Sequence, residues 1–534
     1  MRRGKRVVLL AVNSKYIHSS LAVWQLAAGI AKFAQFPHEV SVVEATIHQP
    51  YDDIIGLVSA QNPEIIGIST YIWNARMLPE LLKLLIERLP EAVIALGGPE
   101  ASHNADYWLQ LGADHVLAGE GEYVFPTFLD RTQGIASLDS AKAVNTTEPP
   151  PYVTCTANDA YLTSLSGRIA YLETSRGCPF SCAYCLSAGS GVKLFPIEEA
   201  KEQLRILSQT EAKTIKLVDR TFNCNAKRTY DIFEHIIGLD TTCSFHFEVA
   251  ADLFDEHTLT LLALAPPGRI QLEVGLQSFF RPALNAVARK TDLEKAEQNI
   301  LKLLQVGNIH IHIDLIAGLP YETLDDFQKS FERAYSLRAH TLQLGFLKLL
   351  HGSVLRLQAE SMGIRYAAEA PYEIQSSPWI TPQDIRILKQ TENALQNTQN
   401  KGRFLSTLEY VLSTSKLRPF AFFQELGQAA PHNGTALPEY ATQVFDFCAT
   451  LPMVDINELR DRMICDWLAM VKGKNMPAIL RIPDSKHREM FELAKQRLGH
   501  EVRREEVRVL SAGNAAFVDS NDRDLVTGLY RVYH

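Results

Sequence analysis

Three cysteines fall within eight residues, in the run Cys178-Pro-Phe-Ser-Cys182-Ala-Tyr-Cys185. The other five of the eight, Cys155, Cys224, Cys243, Cys448 and Cys465, stand singly. A disulfide framework does not group its cysteines in this way, so the trio points to metal, while the scattered five read as small buried hydrophobes. Three thiolates on one short loop suit three irons of a [4Fe–4S] cluster and leave the fourth iron without a protein ligand. An iron with a vacant position can chelate the amino and carboxylate groups of S-adenosylmethionine and place an electron into its sulfonium, which yields a 5′-deoxyadenosyl radical. Zinc asks for four ligands at paired spacings, and no Cys or His follows at a suitable distance.

The elements that must position this loop form three regions. Residues 1–140 alternate short apolar strands (Arg6–Val12, Glu39–Ala45, Ile65–Thr70, Ala92–Gly98, His115–Glu120) with amphipathic helices such as Leu21–Ala34 and Pro79–Leu89. This pattern predicts a doubly wound parallel sheet with its ligand site at the carboxyl ends of the strands. Residues 141–163, with Pro149-Pro150-Pro151, read as a linker. Residues 164–360 repeat strand and helix six times (Arg168–Ser175, Thr214–Thr221, Phe245–Ala251, Arg269–Ser278, His310–Leu319, Thr341–Leu350), which predicts a partial (βα)6 TIM-type barrel. Chemistry in such barrels gathers at the strands' carboxyl ends, and the cysteine loop directly follows the first of them. Residues 361–534 turn mainly helical from the Thr381-Pro382-Gln383-Asp384 start signal onward and finish in a small β element.

The chain is too long for a single core. Of 534 residues, 53 are Lys or Arg and 61 Asp or Glu, so no basic excess is present to hold a phosphate backbone, and nucleic acid is not expected as a partner. No apolar stretch approaches a membrane span, and the charged start before Val7 lacks a cleavage site. These features predict a cytoplasmic protein with reduced thiols.

The cysteine motif and its surroundings resemble the radical S-adenosylmethionine (radical SAM) enzymes, specifically the subclass that carries a cobalamin-binding domain first and, in some members, a C-terminal domain of uncharacterised function. The likeness covers about residues 5–355 and implies one [4Fe–4S] cluster, S-adenosylmethionine and cobalamin as cofactors. Cys178, Cys182 and Cys185 then hold the cluster. The resemblance assigns S-adenosylmethionine contacts to Tyr184, to Asp219 in Asp219-Arg-Thr-Phe-Asn-Cys-Asn225, and to Glu248. It assigns further contacts to Glu273, Gln277 and Ser278 in the fourth barrel strand, and to Asp314 in the fifth. Cobalamin falls to the turns after the N-terminal strands: Asn13 and Ser14, Ser69, Thr70 and Tyr71 with Trp73 nearby, Gly97 and Gly98, and Gly119, Glu120 and Gly121. The D-x-H-x-x-G loop that supplies a histidine to cobalt in many cobalamin enzymes is absent; the corresponding loop reads Asn13-Ser-Lys-Tyr-Ile-His18, which implies binding without that ligand.

The N-terminal region has no cysteines for a second cluster, and Cys448 and Cys465 stand apart. The expected activity is a radical methyl transfer to an unactivated centre of a small-molecule or otherwise unknown substrate. The reductant would be a donor such as flavodoxin or ferredoxin. Radical rearrangement or cyclisation with the same cofactors stays open, as does a radical SAM enzyme whose first domain is regulatory. A redox sensor would have no use for Asp219, Glu248, Glu273 and Gln277 at strand ends. No individual catalytic acid or base, and no substrate, is legible.

Overall fold

A computed structural model of the chain describes residues 4–132, 152–482 and 486–534. The linker's Pro149-Pro150-Pro151 run lies outside these residues. Its second half is not a loop: Asp159–Ser164 is a short helix capped by the Asn158 side chain, and Val153, Cys155 and Tyr161 are buried. The chain divides into two compact units, one running to Glu248 and including Lys348–Ile374, the other made of Val249–Leu347 and Gln375–His534.

The first unit opens with a five-stranded parallel sheet in the order β2-β1-β3-β4-β5, built from β1 (Arg6–Asn13), β2 (Glu39–Thr46), β3 (Ile65–Ser69), β4 (Val93–Gly97) and β5 (His115–Leu117). The near-continuous apolar runs of β1 and β3 suit a sheet covered on both faces, and every β3 residue is buried. On one side, Ile54, Ile55, Leu78, Leu81, Leu82, Leu85 and Trp108 pack against Val8, Leu10, Val12, Ile66 and Ile68. Three more strands follow, β6 (Ile169–Leu172), β9 (Thr214–Leu217) and β10 (Ser244–Val249), with neighbours parallel. Between β6 and β9 lies an antiparallel hairpin, β7 (Ser175–Cys178) and β8 (Gly191–Leu194).

The sheet is tied to β6 by a buried ion pair. Arg168 lies 2.5 Å from Glu44 of β2 and also donates to the backbone carbonyls of His18 and Tyr16. Glu44 accepts from the Trp24 indole at 2.7 Å. Removing one partner from such a pair leaves a buried charge uncompensated.

In the second unit, β11 (Ile270–Gln277), β12 (His310–Ala317) and β13 (Thr341–Phe346) form consecutive parallel ladders. Buried and half-buried residues alternate along β11 and β12, so one face of each enters the core and the other carries the polar residues. The six expected βα units are all present. Two of the helices are started by side chains: Thr323 with Asp326, and Thr381 with Asp384, form reciprocal capping boxes at Leu324–Ser336 and Pro382–Asn397. Helices then follow to Val471. One of them, Pro419–Ala429, buries Phe420, Phe422 and Phe423. A three-stranded antiparallel sheet (Val507–Val509, Ala515–Arg523, Tyr530–Tyr533) closes the chain. No helix of the described residues is long and apolar enough to cross a membrane.

Candidate functional site

Cys178 is the last residue of β7, and Cys182 and Cys185 lie in the loop that leads to β8. Cys178 and Cys182 are buried and Cys185 is half-buried. Backbone bonds staple the loop: Cys185 N–H to the Cys182 carbonyl (3.0 Å), Gly189 N–H to that of Phe180 (3.0 Å), and Leu355 N–H to that of Ala183 (2.8 Å). The Ser187 N–H donates to Cys185 Sγ at 3.4 Å and Thr221 Oγ1 lies 3.4 Å from Cys178 Sγ, contacts of the kind that tune a thiolate ligand. Gly177, just before Cys178, has φ +93°, and a Cβ there would stand 2.0 Å from the Gly191 carbonyl oxygen across the hairpin, so only glycine closes it.

Among the described residues, the only His, Cys, Asp and Glu group with donor atoms all within 4.8 Å of one another is Glu273, His312 and Asp314.

Asp219 is bonded within the chain. It is 1 % exposed, and its carboxylate accepts from Thr174 N–H (2.9 Å), Thr174 Oγ1 (2.7 Å) and Ser175 Oγ (2.6 Å). It thereby anchors Thr174 and the first residue of β7. Burial pushes it up to about 6, against the lowering effect of these hydrogen bonds. Arg228 extends the anchor by donating to the Thr174 carbonyl at 3.0 Å. Cys224, expected as an ordinary buried hydrophobe, is half-exposed and close enough to Cys178 and Asp219 for their charges to add to the effect of burial in raising its thiol. Tyr184 is half-buried within the loop, and Glu248 lies 3.8 Å from Lys216.

At the carboxyl ends of the N-terminal strands, the Asn13 amide donates to the His18 carbonyl and to Glu44. Ser14 follows, half-exposed in the turn. Thr70 is spent on the loop's own structure: its hydroxyl donates to the Gly97 carbonyl and accepts from Ala101 N–H, both at 2.8 Å. The buried Ser69 accepts at its carbonyl from Asn74. Tyr71 and Trp73 stack with ring centroids 4.3 Å apart and planes 7° apart, the Trp73 indole bonded to the Val12 carbonyl and the residue 44 % exposed. Gly98 has φ +101°, and a Cβ would lie 2.5 Å from the Thr70 carbonyl oxygen. These turns form a glycine-lined edge beside an open aromatic pair, which fits a large planar ring. In the first turn His18 Nδ1 lies 2.7 Å from the Tyr171 hydroxyl. Gly119, Glu120 and Gly121 follow β5, with Glu120 paired to Arg176 and Lys193. At Arg176 burial opposes the charge, but Glu173, Glu122 and Glu120 raise its pKa overall.

In the second unit, Gln277 ends β11 at a register irregularity and holds φ +71°, a strained conformation for a residue with a side chain, of the kind found at functional positions. Ser278 is fully buried, and its hydroxyl donates to Glu322 (2.5 Å) and accepts from Phe280 N–H, so it shapes the turn. Glu273 and Asp314 are not at strand ends. Glu273 precedes the end of β11 by four residues and faces His312 in register, and His312 Nε2 is 3.0 Å from Asp314. Burial raises the Asp314 carboxyl, against the lowering effect of His312.

Three family models match the chain: the B12 binding domain over residues 7–129, the Radical SAM superfamily over 172–334, and a protein family of unknown function, DUF4080, over 360–514. It is 23% identical over 372 residues to the cobalamin-dependent radical SAM methyltransferase TokK of Streptomyces tokunonensis, covering 61% of this chain and 52% of that one. It is 22% identical over 343 residues to the anaerobic magnesium-protoporphyrin IX monomethyl ester cyclase of Rubrivivax gelatinosus, covering 58% and 60%. The chain spans about half the length of the first of the curated relatives it matches. The solved structure of the cobalamin-dependent S-adenosylmethionine radical enzyme OxsB, with aqua-cobalamin and S-adenosylmethionine bound, shares the fold at TM-score 0.59 and 14% identity, over 86% of this chain and 78% of that one.

Along the chain, then, a B12-binding domain is followed by a radical SAM domain, and these domains imply cobalamin, a [4Fe–4S] cluster and S-adenosylmethionine as cofactors. A DUF4080 region follows the barrel.

Proposed function

We propose that this protein is a cobalamin-dependent radical SAM methyltransferase with one [4Fe–4S] cluster held by Cys178, Cys182 and Cys185, acting on an unactivated centre of a small molecule. The observation that carries the reading is the cysteine hairpin packed in one unit with the glycine-edged, B12-type sheet. When bound, the cluster supplies the electron that cleaves the sulfonium and the corrin supplies a methyl carrier; the protein supplies position. Asp219 and Arg228 hold the start of β7, the strand that ends in Cys178. Tyr184, Glu248 and Gln277 are the residues we assign to S-adenosylmethionine. Tyr71, Trp73 and the Gly97-Gly98 turn are those we assign to the corrin, bound without a histidine from the first loop.

The test is composition. Protein purified anaerobically from cells supplied with cobalamin should carry about four irons and one corrin per chain. A full cluster with no corrin, even after reconstitution, would sink the reading. Trp73→Ala should weaken hydroxocobalamin binding about tenfold, the loss of an aromatic contact face, as read by equilibrium dialysis; unchanged affinity would remove Trp73 from the corrin site.

The similarity to a cyclase favours, as a second reading, ring closure with the same cofactors. Product analysis separates the two, since methyl transfer consumes S-adenosylmethionine as a methyl donor and leaves S-adenosylhomocysteine.

A further inference from the structure

The charged residues beside the cysteine loop reach out of it into the turn that follows β5. Arg176, two residues before Cys178, places its guanidinium 3.1 Å from Glu120, 2.8 Å from Glu122 and 2.6 Å from Glu173. On the opposite strand Lys193, the register partner of Arg176, lies 3.1 Å from Glu120. One cation from each strand of the hairpin is therefore held by the same turn. The arrangement is half-buried and backed by rings: Arg176 lies 5.7 Å from the Phe195 ring centroid, and Lys193 lies 5.6 Å from those of Phe195 and Tyr123. A planar guanidinium can serve three carboxylates at once, whereas an ammonium is a single point charge. Any movement of the Gly119-Glu120-Gly121 turn must pull on Arg176, and so on the backbone next to Cys178.

We propose that Arg176 is a positioning residue that couples corrin occupancy of the turn after β5 to the cysteine hairpin, with Glu120 and Glu122 acting as its partners and not as corrin ligands. This rests on the cobalamin reading above. Such coupling is reciprocal: if corrin orders the hairpin, a cluster in the hairpin must tighten corrin binding by the same factor.

The experiment is equilibrium dialysis of the full-length protein against hydroxocobalamin under anaerobic conditions, with and without a reconstituted cluster. Wild type should bind corrin at least about fivefold more tightly when the cluster is present, the lower end of ordinary coupling between sites. In Arg176→Gln the ratio should fall to near one while iron content is kept, Arg176→Lys should recover part of it, and Glu122→Gln should lower it from the other side of the contact. A wild-type ratio of one, or a ratio unchanged in Arg176→Gln and Glu122→Gln, would overturn the coupling. Should Arg176→Gln fail to fold, Glu122→Gln decides. Absence of corrin binding by wild type in both states would instead overturn the cobalamin reading itself, and the coupling with it.

Discussion

Replacing any one of Cys178, Cys182 or Cys185 by alanine is expected to reduce cluster iron and sulfide from about four of each per chain to near zero, and to abolish reductive cleavage of S-adenosylmethionine. Cys224→Ala should leave both intact. The contrast is needed because Cys224 lies within electrostatic reach of Cys178, so proximity alone does not separate the four thiols. Architecture does: the three share one loop stapled by its own backbone bonds, whereas Cys224 closes the short helical turn Phe222–Cys224 after β9. A three-thiol set leaves one iron for substrate, and a fourth thiolate would fill that position. Iron and sulfide analysis with dithionite-driven formation of 5′-deoxyadenosine checks both halves. A Cys224→Ala protein that lost its cluster, or a Cys182→Ala protein that kept it, would reassign the ligands.

The cysteine loop was legible because its chemistry is local: three thiols in eight residues need no tertiary contact to be noticed. The βα units were legible for a similar reason, since parallel strands buried on both faces and capped amphipathic helices write their periods into the chain, as at Thr381 and Asp384. The hairpin that carries the cysteines was not. Ser175-Arg-Gly-Cys178 and Gly191-Val-Lys-Leu194 have no alternation to read, and they pair because Gly177 lets the backbones approach. Asp219 shows the same limit from the side of function. An acidic residue after an apolar strand reads as a ligand, but the groups that satisfy it, Thr174 and Ser175, lie more than forty positions earlier. Arg176 left no signal either, because its partners Glu120 and Glu122 sit in a separate region of the chain.

Ser278 and Glu322 carry the other large effect. Glu322 is 1 % exposed, with Ser278 Oγ at 2.5 Å and Ser330 Oγ at 3.3 Å donating to one of its oxygens. Burial pushes its pKa up to about 8, more than the two hydroxyls lower it. The group is then neutral in the folded protein at pH 7 and ionised in the unfolded chain. The unfolded state binds fewer protons, so the contribution of Glu322 to stability is whole below the ordinary value of 4.5 and is lost as pH rises through 8. Asp219 and Asp466 are raised in the same direction but only to about 6, so above that pH Glu322 continues alone among the three. Between pH 6.5 and 8, wild type should lose about 2 kcal/mol relative to Glu322→Gln, which cannot ionise. Hydrogen exchange in residues 270–281 is the suitable readout, because it reports the end of β11 without assuming that the whole chain unfolds in one step. A difference between the two proteins that did not change with pH would mean that Glu322 is already ionised in the fold. The segment at stake bears on function: the Ser278–Glu322 contact holds the turn directly after Gln277, whose backbone is left-handed. Alkaline loosening should therefore appear as a weaker affinity for S-adenosylmethionine above pH 8 in wild type, and be absent in Glu322→Gln.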